Sequence, residues 1–90
     1  MIEIRCIVNG KVQGVRYRDY VQVSATNLSL GGYVKNESDG SVFVLAQGIP
    51  DALHEFIEHL HEGSLQARVD TVSVDWKTAK KVYDDFSIRF

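Results

Sequence analysis

The sequence predicts an α+β protein folded as a two-layer sandwich, with one mostly antiparallel sheet and both helices on one of its faces. Three observations predict this. Five short runs alternate or are rich in β-branched residues, as strands are. Two longer segments repeat apolar residues at helical spacing. The two kinds come in the order strand, helix, strand, strand, helix, strand, with a short strand at the end, and only the middle pair is joined by a tight turn.

The elements follow in order. "IEIRCIV" alternates and predicts a strand over about residues 2–9, followed by a loop over about 10–16. Tyr17, Val21, Ala25 and Leu28 recur at helical spacing, so a first helix is expected up to about Leu30, with Gly31 and Gly32 stopping it. "YVKN" starts a second strand. "ESDG" reads as a hairpin turn, tightest at Asp39–Gly40. "SVFVLAQ" is apolar on both faces, which predicts a central third strand. Pro50 suits the first turn of a second helix, and Asp51 is favourable against its dipole. Leu53, Phe56, Ile57 and Leu60 form the buried stripe of that helix, and Gly63 ends it. "RVDTVSVDW" predicts a fourth strand with Val72, Val74 and Trp76 on one face, and "DFSIRF" a short terminal strand.

The order β-α-β-β-α-β is the split βαβ, ferredoxin-like sandwich. Residues 1–90 make a single domain, with no repeat, linker or low-complexity segment. The connection rules run strands one and two in the same direction with strand three between them. Their C-terminal ends then share one end of the sheet, which places "GKVQGVRYR" beside "YVKN".

Composition narrows the functional classes. Apolar content of 44% and charged content of 24% are ordinary for a soluble domain. A net charge of −2 argues against a general nucleic-acid binder, which needs a basic surface. Any anion site must therefore be local. The single cysteine, Cys6, is in phase with Ile2, Ile4 and Val8 and reads as a small core residue. There is no signal-like or membrane-length apolar stretch, so a cytoplasmic monomer without a membrane partner is expected.

The loop is where chemistry is expected. Glycines at 10 and 14 let backbone N–H groups turn inward, and a helix start adds its free donors and positive end. Such a concavity suits phosphate. Arg18, in the first helical turn, can offer its fork to phosphate oxygens. The competing reading is a solvated arginine. An arginine at a helix start is unfavourable against the dipole, so its placement calls for an anion or a carboxylate. Asn36 falls across from Arg18 in this topology. Asparagine also ends strands for local reasons, but its amide could hold a water that it could not deprotonate.

These residues carry a resemblance. "GKVQGVRYR" is similar to the acylphosphatase signature through Gly10, Val12, Gln13, Gly14, Val15, Tyr17 and Arg18. "GYVKNESDGSVFVLAQG" resembles the second signature of that family through Gly32, Tyr33, Val34, Asn36, Gly40, Val42 and Gly48. The likeness continues through "EFIEHLHEGSLQARVDTVSV" to "FSIRF" and covers nearly the whole chain. The chain departs from the pattern at Ser64, where many members have proline, and at Ser29, where many have glycine. Ser64 lies far from the motifs in sequence. Arg16 is at a variable position.

The resemblance implies hydrolysis of a small acyl phosphate to a carboxylate and inorganic phosphate, without metal or cofactor. It implies that Arg18 binds the phosphoryl group together with the backbone N–H groups of Gln13, Gly14, Val15, Arg16, Tyr17 and Arg18, and that Asn36 positions the attacking water. The alternative is a non-catalytic phosphate- or acyl-phosphate-binding module on the same fold.

Other patterns carry less. His54, Glu58 and His61 share a helical face, but a zincin pattern would need histidine at position 58, so a solvated flank is expected there, out of contact with the loop. RNA-recognition modules on this fold need basic charge and aromatics on the third strand, where the sequence offers only Phe43. Tyr17, Tyr20 and Tyr33 are expected to pack around the loop and helix. Asp39 reads as turn chemistry, and "KTAKK" as a solvated basic patch.

Overall fold

In the computed structural model, which describes all 90 residues, the order is β1 (Ile2–Lys11), α1 (Tyr17–Asn27), β2 (Gly31–Asn36), β3 (Val42–Gly48), α2 (Pro50–Glu62), β4 (Arg68–Thr78) and β5 (Phe86–Arg89). The five strands form one sheet in the order β4-β1-β3-β2-β5, with β3 in the middle. Every pairing is antiparallel except β2 with β5. Strands β1 and β2 therefore run the same way on either side of β3, and both end beside the loop that enters α1.

The period-2 pattern of the strands sorts their side chains. Ile4, Cys6 and Val8 of β1 lie opposite Ala46, Val44 and Val42 of β3. All six are fully buried under the helices. From above, α1 contributes Tyr17, Val21 and Ala25, and α2 contributes Leu53, Phe56 and Leu60. The rings of Phe56 and Phe86 meet edge to face at 6.0 Å, which ties α2 to β5. Leu45 is buried on the other face of β3, as expected of a central strand.

Four local expectations are corrected. Helix α1 stops at Asn27, short of Leu30. Ser29 takes φ 57° beyond the C-cap Leu28, and the Leu30 N–H returns to Ala25 O at 2.9 Å while the Ser29 N–H reaches Thr26 O at 3.0 Å. These are the two bonds of a Schellman ending, with a serine where glycine is usual. Gly31 and Gly32 accordingly belong to β2. At Gly32, with φ 137°, a Cβ would lie 1.9 Å from Leu45 O, so the close strand approach admits only glycine.

The second correction concerns Gly10, which is in β1 and outside the loop. The β1–β4 register shifts between Asn9 and Gly10, a bulge that bends the strand end, and a Cβ there would meet Arg68 O at 2.1 Å. Third, Tyr33 is on the sheet face away from the helices, between Phe43 and Tyr83. Strand alternation decides this, because Gly32 and Val34 take the helix side. Fourth, α2 is not remote from the loop. Tyr17 and Tyr20 donate from α1 to the carbonyls of Leu60 and His59, each at 2.8 Å, and Ser64, just past α2, touches the loop itself.

Candidate active site

Between Lys11 and α1 the backbone bends through residues 12–16. Gly14 has φ 73° and Arg16 φ 60°, while Val15 and Tyr17 have negative φ. Alternation of this kind turns successive N–H groups to one side and makes an anion-binding nest. None of the N–H groups of Gln13, Gly14, Val15 or Arg16 bonds to a backbone carbonyl, and the first bond of α1 runs from Tyr20 N–H to Arg16 O. Those of Tyr17 and Arg18 are at the open end of the helix. Arg16 is the N-cap without a side-chain cap bond. A left-handed conformation costs a non-glycine residue about 1–2 kcal/mol, and such strain collects at functional sites.

The loop is held from two sides. The Gln13 amide nitrogen donates to Glu37 O and Ser41 O, each at 2.8 Å, joining the loop to the β2–β3 turn. That turn is closed by Gly40 N–H to Glu37 O and by the Asp39 carboxylate, which accepts from the Ser41 N–H and hydroxyl. On the far side the Ser64 hydroxyl donates to Val15 O at 3.1 Å. Position 64, far from the motif in sequence, supports it directly.

Arg18, Asn36 and the loop meet at one cavity of about 370 Å³. Gly14, Arg16, Tyr17, Arg18 and Asp19 line one wall, and Asn36 another. Gln13 and Val15 do not line it. Gln13 points to the β2–β3 turn, and the Val15 side chain is buried. Sequence reasoning missed the third wall, Ile88 and Phe90. It forms because β5 pairs with β2, and no local signal announces that pairing. Arg18 reaches this wall: its Nη1 donates to Arg89 O at 2.9 Å, and its guanidinium lies 4.6 Å from the Phe90 ring centre. None of the four ion pairs includes Arg16 or Arg18. The carboxylate that could have explained an arginine at a helix start is not paired with it.

Asn36, the last residue of β2, is on the helix side in phase with Gly32 and Val34. Its Oδ1 is the one buried side-chain oxygen or nitrogen without a hydrogen-bond partner. Leaving a buried acceptor unpaired costs about 1–3 kcal/mol, a cost that a water or ligand donor removes.

The remaining candidates are elsewhere. His54, Glu58 and His61 are exposed on α2, where the His54 ring lies 4.9 Å from that of Trp76, and no three His, Cys, Asp or Glu side chains converge on a point. Burial pushes the Cys6 thiol up to about 12, which leaves it protonated and unreactive. Burial, and then the neighbouring Tyr20, likewise raise the Tyr17 phenol. No helix is long and apolar enough to cross a membrane.

Comparison with known proteins agrees with this architecture. The acylphosphatase family model matches residues 4–88. An acylphosphatase of Dehalococcoides mccartyi is 47% identical over 87 residues, covering 96% of each chain. One of Salinibacter ruber is 46% identical over 82 residues, covering 91% of this chain and 86% of that one. The crystal structure of the Bacillus subtilis acylphosphatase superposes with a TM-score of 0.97 at 40% identity, covering all of both chains. With both signatures in place and nearly its whole length matched in sequence and in fold, the chain belongs to the acylphosphatase family.

Proposed function

We propose that acyl phosphates are hydrolysed in the cavity between the Gly14–Arg18 loop, Asn36 and β5. The observation that carries this is a single cavity lined by the Gly14–Arg18 loop, whose first N–H groups have no backbone partner, by an arginine without a carboxylate partner and by Asn36, whose amide oxygen is unpaired. The N–H groups of residues 13–18 and the Arg18 fork hold the phosphoryl oxygens. Asn36 Oδ1 accepts a hydrogen bond from the attacking water and aims the water's oxygen at phosphorus. As the new O–P bond forms, the bond from phosphorus to the acyl oxygen breaks, and its electron pair leaves with the carboxylate. The water's proton passes to a phosphate oxygen of the substrate, so no protein base is required.

A carboxylate is a good leaving group, so positioning and charge stabilisation suffice. Arg18 and the nest supply that charge, and neither metal nor cofactor is needed. A free cysteine and a small-molecule substrate fit a monomer in a reducing, cytoplasmic setting.

The test is hydrolysis of benzoyl phosphate in the presence of a chelator, by wild type, Arg18→Ala and Arg18→Lys. Wild type should turn over, with kcat flat between about pH 5 and 8, because the proposed step uses no protein acid or base. Arg18→Ala should lose about 10²–10³ or more in rate, equivalent to roughly 3–4 kcal/mol. Arg18→Lys keeps the charge, loses the fork and should also be badly impaired. Stabilisation of wild type by inorganic phosphate without turnover would assign the non-catalytic module instead.

A further inference from the structure

A second cavity, of about 490 Å³, adjoins the first. Its apolar lining comes from Val15, Tyr20, Val23 and Leu65. Arg16 and Asp19 line both cavities and form the divide between them. Val23 and Leu65 are exposed, one on the outer side of α1 and one in the segment leading to β4. Neither has a role in the core.

Beyond the shared divide the two cavities have different linings. Asn36, Ile88 and Phe90 line only the first, whereas Val23 of α1 and Leu65 of the segment after α2 line only the second, so the second lies across the divide from Asn36. In-line displacement at phosphorus puts the leaving oxygen on the side away from the attacking water. With the water at Asn36, the acyl group departs toward the Arg16–Asp19 divide and the groove beyond it.

On this basis, and resting on the reading of the first cavity as the hydrolytic site, we propose that the groove of Val15, Tyr20, Val23 and Leu65 binds the acyl group. The preferred substrates are then acyl phosphates with an extended apolar acyl chain. Acetyl phosphate fills only the first cavity. A longer chain crosses the divide and removes the exposed Val23 and Leu65 surfaces from water.

The experiment is a chain-length series of acetyl, butanoyl, hexanoyl and octanoyl phosphates, whose leaving carboxylates differ little in basicity. It compares wild type with Val23→Ser/Leu65→Ser, two surface changes that leave the first cavity intact. Wild-type kcat/KM should rise roughly two- to fourfold per methylene once the chain reaches the groove, mostly through KM. The double variant should flatten the series while hydrolysing acetyl phosphate at the wild-type rate. A flat wild-type series, or a slope that survives the double substitution, overturns the groove while leaving the hydrolytic site standing. Failure of wild type to hydrolyse any member, acetyl phosphate included, overturns the hydrolytic site and the groove with it.

Discussion

Asn36→Leu should make the protein inactive and no less stable. The side chain ends β2 on the helix side, and its Oδ1 is buried without a partner. An unpaired buried acceptor costs about 1–3 kcal/mol, and an apolar group of similar shape relieves that cost. Leucine also suits a strand better than asparagine does. Unfolding free energy should therefore stay level or rise by about 1 kcal/mol, which in a domain of this size raises Tm by roughly 4–8 °C. Activity should move the other way. If Asn36 orients the water, its loss falls on kcat by about 10²–10³, with KM within a few-fold. Urea unfolding and steady-state kinetics on one preparation read both quantities. Asn36→Ala, which leaves a small cavity, should show the same kinetic loss with less gain in stability. Retention of kcat with a raised KM would make Asn36 a binding residue. Loss of stability with full activity would make it a structural one, and either result refutes the reasoning.

Three other outcomes are expected. Ser29→Gly removes a left-handed serine from the end of α1 and, after the added chain entropy of glycine, should raise unfolding free energy by roughly 0.5–1 kcal/mol in urea titrations. Gln13→Ala removes the second donor of Glu37 O and of Ser41 O, each of which keeps a backbone N–H; at about 0.5–1.5 kcal/mol for each of the two bonds it should lower stability and lower kcat/KM by freeing the loop from the turn beside Asn36, whereas unchanged kinetics would show that the loop holds its shape alone. The third concerns pH. The raised Cys6 thiol contributes stability that is complete below its ordinary value of 9.0 and is lost as pH rises toward about 12. Asp39, lowered by the hydroxyl and then the N–H of Ser41, contributes stability present above the ordinary carboxylate range and lost as pH falls through its lowered value. Cys6→Ala should flatten the alkaline limb of the unfolding free energy and Asp39→Asn the acid limb, and limbs unchanged by the substitutions would assign the dependence to other groups.

Local periodicity determined the element order, the central position of β3, the buried faces of α1 and α2, and the juxtaposition of the loop with the end of β2. A period of two or 3.6 and a Gly or Pro punctuation mark act over a few residues, so they are legible in a short stretch of chain. The two signatures were legible too, and with them Arg18 and Asn36. Local reasoning failed where a residue's conformation answers to a distant partner. Gly10 and Gly32 look like loop and stop signals, but backbone atoms of β4 and β3 press on them inside the sheet. Ser64 is 49 residues from Val15 in sequence and hydrogen-bonds to it. The β5 wall, the grip of Arg18 on Arg89 O and the unpaired oxygen of Asn36 arise only when strands remote in sequence pair. Such pairings are set by burial and backbone hydrogen bonding over the whole sheet, and no single segment encodes them.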